Sequence, residues 1–235
     1  MIEWIFLVFM SFLPPLIYMV WIRNTEKYNR EKWIPILLCF LWGASIAIIA
    51  SIFLELILGF SLAISIKDDN ILGLVTVIVI APFVEELTKP LALRLKTVKK
   101  EINELEDGLI YGAVAGLGFS ATENLFYGSD FLSKGLLVFF ILIIMRSFGG
   151  CLLHASATAW TGYGYGKTIM KHTKLLRIIP YFALAIFVHG FYNFLVSFEM
   201  IGALVGLLAA FSFVLISITL VRRKIRELDE MTCNR

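Results

Sequence analysis

The sequence predicts an all-α fold, a polytopic membrane helix bundle, from three observations. Of its 235 residues, 59% are hydrophobic and 17% are charged, and the mean hydropathy is +0.85, far from the balance of a soluble domain. The apolar residues form runs of about 20 residues or more, the length of a membrane-spanning helix. Lipid offers no water to the backbone, so these runs must be helical. We therefore expect a single integral membrane domain over 1–235, with its chemical motifs in 82–194.

Seven apolar segments predict seven transmembrane helices. The first, 2–22, is long enough to span and lacks the basic leader and small-residue cleavage site of a signal peptide, so we expect it to be retained. The fifth, 135–166, is long enough to form two helices separated at Gly149 and Gly150, which would give eight spans. The other five segments are 34–64, 71–93, 108–127, 178–198 and 201–221.

The basic residues favour seven spans and predict the orientation. With seven spans, all four basic clusters fall on one side of the membrane, and only Lys67 and Lys134 fall on the other. The positive-inside rule then places the amino terminus outside the cell membrane and the carboxy terminus in the cytosol. Because the basic residues flank apolar runs, the net charge of +3 does not indicate a nucleic-acid partner. The clusters lie within 23–32, 94–100, 167–177 and 222–226.

Four acidic residues interrupt the apolar segments: Glu55, Glu85, Glu86 and Glu123. An ionisable group at bilayer depth costs at least a few kcal/mol, so a functional role is the default interpretation. The polar companions in the same segments are Lys89, Arg146, His154 and His189.

The third segment contains Glu85 and Glu86, followed by Lys89 at the fourth and third positions after them. On a helix the lysine can neutralise one carboxylate. Neighbouring residues are about 100° apart, so we expect the other carboxylate to be left over for general-base chemistry. The alternative is a buried ion pair that only fixes helix packing. Pro82 and Pro90 bracket the motif and predict kinks that help to open a wet cavity.

The fourth segment carries Glu123, which has no cation within one helical turn. It must be protonated or find a partner on another helix, for which Lys89, Arg146 or a histidine would serve. Gly108, Gly112 and Gly116 recur every four residues, a spacing that predicts close packing against another helix.

The fifth and sixth segments supply two intramembrane histidines. His154, Thr158 and Thr161 share one helix face, and the threonines are interpreted as packing groups because threonine commonly bonds its own helix backbone. His189 and Asn193 are four residues apart and therefore stacked on one face. Counting about 1.5 Å per residue places the glutamates and both histidines at similar depth, so they can meet in one pocket.

These motifs, in this order over 82–194, resemble the PrsW family of intramembrane proteases, part of a larger superfamily with the CAAX prenyl endopeptidases and the bacteriocin-processing Abi proteins. The resemblance implies a peptide hydrolase that activates water with a glutamate. The motifs are Glu85-Glu86-x-x-Lys89, Asp107-Gly108, Gly118-Phe119-x-x-x-Glu123-Asn124, His154-Ala155-x-x-Thr158, Thr161-Gly162 and His189-Gly190-Phe191-x-Asn193-Phe194.

The resemblance also implies a role for each site residue. Glu85 corresponds to the general base, whose charge and orientation Glu86 and Lys89 would set. Glu123 corresponds to a helper that is a histidine in the prenyl endopeptidases. His189 and Asn193 would donate hydrogen bonds to the oxyanion, and His154 would orient a glutamate or join a metal site. Independently of the resemblance, the buried acids suggest charge balance as the role of Arg146.

Whether a metal takes part is open at this point. Two histidines and two or three carboxylates could hold zinc with an open water position, with Glu123, His154 and His189 as its ligands. The chain lacks the His-Glu-x-x-His helix of common zinc proteases, which slightly favours a metal-free glutamate site.

We therefore expect an intramembrane endopeptidase that cleaves a membrane-anchored protein. The resemblance suggests a single-span substrate such as an anti-sigma factor, cut at the first of two proteolytic steps. The rival class is a proton- or cation-coupled transporter, because intramembrane Glu and His residues also form relays. A third interpretation is a catalytically silent chaperone or lipid-binding protein that keeps the same scaffold.

Overall fold

A computed structural model describes residues 2–197 and 202–233, and these form helices and connecting turns without a strand. The predicted all-α class is therefore confirmed for the described chain. The helices are α1 Ile2–Arg23, α2 Trp33–Trp42, α3 Ile48–Ala63, α4 Asp69–Val75, α5 Ala81–Thr88, α6 Lys96–Glu101, α7 Leu105–Leu132, α8 Leu136–Phe148, α9 Gly150–Met170, α10 Ile179–Ser197 and α11 Ala203–Cys233. Two π-helical segments, Gly43–Ala47 and Thr76–Ile80, and two 3-10 segments, Lys89–Arg94 and Leu175–Ile178, connect or extend them.

Six helical stretches of the described chain are long and apolar enough to cross a membrane. The additional long helix is α7, with 28 residues, which the other helices bury almost completely over its first 17 residues. A helix enclosed by protein needs fewer apolar residues than one facing lipid, which explains its more polar sequence. The six stretches are Trp4–Arg23, Trp33–Ala63, Asp69–Arg94, Leu136–Met170, Leu175–Ser197 and Ala203–Met231.

The bounds of the predicted segments match these helices to within about five residues except at one end. The seventh segment was expected to stop at Val221, but α11 continues through the basic cluster to Cys233, because nothing in that polar stretch breaks a helix. Phe198 and Ile201, at the junction of the last two predicted segments, lie outside the described residues.

The segment containing α8 and α9 is one continuous helical stretch. Gly149, at the joint, keeps right-handed helical dihedral angles (φ −84°, ψ −71°), and its amide and carbonyl continue the helical hydrogen bonds to Met145 and Leu153. The chain does not turn back there, so the structure supports the interpretation of residues 135–166 as one segment.

Helices α7 and α9 are in direct backbone contact. A Cβ atom on Gly108 would lie 2.5 Å from the carbonyl oxygen of Gly162, and one on Gly112 would lie 2.5 Å from that of Thr158. A Cβ atom on Gly116 would overlap the carbonyl oxygen of His154. The predicted packing role of this glycine series is confirmed, and it fixes the position of His154 relative to α7.

The helix that carries Glu85 and Glu86 changes its winding at both ends. It follows the π segment Thr76–Ile80, and it tightens into the 3-10 segment Lys89–Arg94. Pro82 and Pro90 each remove a backbone donor at these transitions, as their positions predicted. Lys89 lies where α5 passes into the 3-10 segment, four residues after Glu85 and three after Glu86.

Candidate active site

Lys89 lies at the centre of the polar cluster, and its side chain is completely buried. Its Nζ donates hydrogen bonds to Glu85 Oε2 at 2.7 Å, to Glu86 Oε1 at 2.9 Å and to His154 Nδ1 at 2.8 Å. The ring of Phe119 lies 4.4 Å from the ammonium. The prediction that only one carboxylate would face the lysine is wrong, because the flexible lysine side chain carries three donors and reaches between both acids.

Glu86 accepts hydrogen bonds on both oxygens. Besides Lys89, its partners are His189 Nδ1 at 3.0 Å and Thr158 Oγ1 at 2.8 Å. The interpretation of Thr158 as a packing group is therefore wrong, since its hydroxyl reaches across to α5 instead of bonding its own helix. With an ionised carboxylate as acceptor, His189 carries its proton on Nδ1, which leaves the lone pair of Nε2 facing the cluster.

Glu123 has partners on other helices, one of the two possibilities that the sequence left open. Its Oε2 lies 2.6 Å from His154 Nε2 and 2.9 Å from Arg146 Nη2. Arg146 also donates from Nε to Asn124 Oδ1 at 2.7 Å, which holds the guanidinium in place. Arg146 therefore lies beside the acid that the sequence left without a nearby cation. Because Nε2 of His154 donates to Glu123, its Nδ1 is left as an acceptor that faces Glu85 and Lys89.

Glu85, His154 and His189 converge on one point. Oε2 of Glu85 lies 3.7 Å from Nδ1 of His154 and 3.9 Å from Nε2 of His189, and the three residues offer ligand atoms all within 4.8 Å of one another. The two imidazole rings are perpendicular, with centroids 4.9 Å apart. All three side chains are buried.

This arrangement fits a bound metal ion. Two imidazoles and one carboxylate form a known ligand set of catalytic zinc sites. Each imidazole also donates its outer N–H to a carboxylate, Glu123 for His154 and Glu86 for His189, which is the support that metal-binding histidines usually have. Glu123, predicted as a ligand, thus lies behind His154, and Glu85 takes its place in the set.

A cavity of about 640 Å³ opens beside this cluster. Glu85 lines it, whereas Glu86 is not among its lining residues. Glu55 also lines the cavity and makes no ion pair within the described chain. Asn193 lies at the cavity wall, where its amide donates one hydrogen bond to the carbonyl oxygen of Val77 at 2.9 Å. The other polar lining residues include Glu123, Tyr127, Arg146, His154, His189 and Tyr192.

The end of α5 is anchored by residues that sequence reasoning did not single out. Thr88 shares a hydrogen bond of 2.7 Å with Ser51, and its carbonyl oxygen accepts from Trp42 Nε1 at 3.1 Å. These contacts position the turn that carries Glu85 and Lys89. Serine and tryptophan are common in such segments, so no pattern in the chain distinguishes them.

The chain resembles known proteins over most of its length. Residues 31–220 match the model of one family, described as PrsW family intramembrane metalloprotease. The curated protein "Protease PrsW" of Clostridioides difficile (strain 630) is 28% identical over 203 residues, which cover 85% of this chain and 82% of that protein. No solved structure matches the chain significantly. The description as a metalloprotease and the Glu85, His154 and His189 set both indicate a metal, in contrast to the metal-free scheme favoured from the sequence.

Proposed function

The chain belongs to the PrsW family of intramembrane metalloproteases, and from this premise we propose that Glu85, His154 and His189 form its catalytic centre. The protein is a multi-pass membrane endopeptidase, and its substrate is a membrane protein. The observation that carries the proposal is the meeting of three inward-facing ligand atoms from α5, α9 and α10 at one point beside the cavity.

The water molecule that attacks the substrate would lie in the cavity beside Oε1 of Glu85. Oε1 of Glu85 makes no hydrogen bond to the described residues, and the side chain lines the cavity, so this oxygen can accept the proton of the water. The water oxygen then bonds to the carbonyl carbon of the substrate. When the C–N bond breaks, the proton passes from Glu85 to the leaving nitrogen.

Glu123 and Glu86 are positioning residues in this scheme. Each holds the outer N–H of one imidazole, so that the inner lone pair stays aimed at the same point. The chemistry supplied by a bound divalent metal, for which zinc is the choice that suits this ligand set, is activation of the water. Glu85, His154 and His189 would hold that metal.

Asn193 is assigned as the oxyanion donor. A side-chain amide carries two N–H groups, and only one of them is engaged, with Val77. The second can reach a substrate oxygen in the cavity that Asn193 lines. His189, whose N–H is held by Glu86, is better placed to bind the metal than to donate to the oxyanion.

The nature of the substrate follows from the position of the site. The catalytic set lies among helices long and apolar enough to span a membrane, which supports a scissile bond in a segment that enters or adjoins the bilayer. We propose a single-span regulator, such as an anti-sigma factor, cut at a first proteolytic step.

The basic clusters support an orientation with the carboxy terminus in the cytosol. The motif order also supports placement in the wider superfamily of CAAX prenyl endopeptidases and Abi proteins.

The test is cleavage of a purified single-span substrate by the protein in proteoliposomes. Glu85→Gln, His154→Asn and His189→Asn should each abolish cleavage, whereas Asp130→Asn, a change at an exposed acid of α7, should retain it. Metal analysis of the same preparations should find a bound metal that the three variants lose. Full cleavage by all three variants would refute the proposed centre.

A further inference from the structure

A second buried cluster of carboxylates lies away from the catalytic cavity. Glu26 in the loop after α1, Glu106 in the first turn of α7 and Asp229 near the end of α11 offer oxygen atoms within 4.8 Å of one another. The three side chains are 0%, 0% and 1% exposed. None of the three lines the catalytic cavity.

Three of the six carboxylate oxygens in this cluster lack hydrogen-bond partners among the described residues. Both carboxylate oxygens of Glu106 and Oε1 of Glu26 are buried and have no hydrogen bond to another described residue. No described lysine or arginine forms an ion pair with Glu26, Glu106 or Asp229. Arg30, four residues after Glu26, donates to the backbone oxygen of Glu26 and not to its carboxylate. Buried carboxylates without compensation are costly, so the cluster requires a positive ligand or protons.

Further acids surround this trio. Glu104 and Asp107 form a second group with Glu26, again with oxygens within 4.8 Å. Glu31 lies beside Asp107 and accepts a hydrogen bond from Tyr111. The trio therefore lies among further acidic side chains.

We propose that Glu26, Glu106 and Asp229 bind a hard divalent cation, calcium or magnesium. The donor atoms are all carboxylate oxygens, which these cations prefer, and no histidine or cysteine is present in the set to favour zinc. The site joins three parts of the chain that are far apart in sequence. Asp229 already accepts from the backbone N–H of Lys27 at 2.8 Å, so a cation there would lock α11 and the 24–32 loop to the start of α7.

Thermal unfolding of the detergent-purified full-length protein tests this site. After chelation, CaCl₂ or MgCl₂ should raise the midpoint of wild-type protein, because a ligand that binds the native state stabilises it. The shift should be lost in Glu106→Gln, which removes the negative charge, replaces one of the two unpartnered oxygens with an NH2 group, and breaks no hydrogen bond to another described residue. It should persist in Glu227→Gln, an acid of the same stretch of α11 that pairs only with Lys224 among the described residues.

Two further measurements keep the result unambiguous. Glu85→Gln should retain the shift, which separates this site from the catalytic metal and from the proposed function. Isothermal titration of the Glu85→Gln protein with each salt should give one site per chain, and the salt that binds identifies the cation. No binding of either cation, or an equal shift in Glu106→Gln, would overturn the proposal. Should Glu106→Gln fail to fold, Glu26→Gln is the replacement, judged by the same loss.

Discussion

The ammonium of Lys89 lies 2.8 Å from Nδ1 of His154, the nitrogen that this histidine would use to bind a metal. The same ammonium donates to Glu85 Oε2, a second inward-facing ligand atom. Lys89 therefore supplies the positive charge for this cluster when no metal is bound. A divalent cation that binds Glu85, His154 and His189 must displace Lys89 from two of these three residues.

Replacing Lys89 should raise the affinity for a metal and lower the stability of the metal-free protein. In Lys89→Met, the metal no longer competes with an ammonium, so its affinity should rise in competition with a chromophoric chelator. The metal-free protein should lose about 3 to 5 kcal/mol of unfolding free energy, because two buried carboxylates lose their partner. Lys134→Met, which breaks an exposed pair with Asp130, should change neither quantity. A metal affinity unaffected by Lys89→Met would contradict competition.

Glu123→Gln should weaken the support of His154 without removing a metal ligand. The expected effect is a loss of about 10- to 100-fold in metal affinity or in kcat, typical of changes to such supporting carboxylates. KM for the substrate should stay near its wild-type value, because Glu123 holds the histidine and not the peptide. Asp130→Asn on the same helix is the matched control. A change confined to KM would instead assign Glu123 to substrate binding.

Much of the fold and the site was predictable because their signals are local. Apolar run length identifies the spanning helices, and four-residue spacing identifies the Gly108 to Gly116 series. The acids at bilayer depth marked Glu85, Glu86 and Glu123 as a site, since few other roles justify their cost.

The remaining features depend on contacts between distant parts of the chain. Whether Thr158 bonds its own backbone or Glu86 is decided by the separation of α5 and α9, which no local pattern encodes. Which glutamate lies with His154 and His189, Glu85 and not the predicted Glu123, depends likewise on the rotation of each helix about its axis. The Glu26 and Asp229 contact joins residues about 200 positions apart, across loop and helix end, where charged residues are ordinarily solvated.

Thr158→Val should test the contact that sequence reasoning did not predict. The substitution keeps the shape of the side chain but leaves Oε2 of Glu86 without its donor, which should cost about 1 to 3 kcal/mol of unfolding free energy. Cleavage should fall as well, because Glu86 holds His189. Thr219→Val is the control, since the Thr219 hydroxyl bonds only its own helix at Leu215. Equal stability of the two variants would show that the Glu86 contact contributes nothing.

The contact between α7 and α9 at Gly116 should be sensitive to any added side-chain atom. In Gly116→Ala, the added methyl group overlaps the backbone oxygen of His154, so the two helices must separate and His154 must move away from Glu85. Cleavage and metal binding should therefore fall together, and the melting temperature should drop. Gly59→Ala on α3, where a Cβ atom meets nothing within 4 Å, should be neutral or slightly stabilising because alanine favours a helix. Comparing metal content per folded molecule in the two variants distinguishes displacement of His154 from general unfolding. If Gly116→Ala protein keeps wild-type metal content and activity, the close approach of the two helix backbones does not position His154.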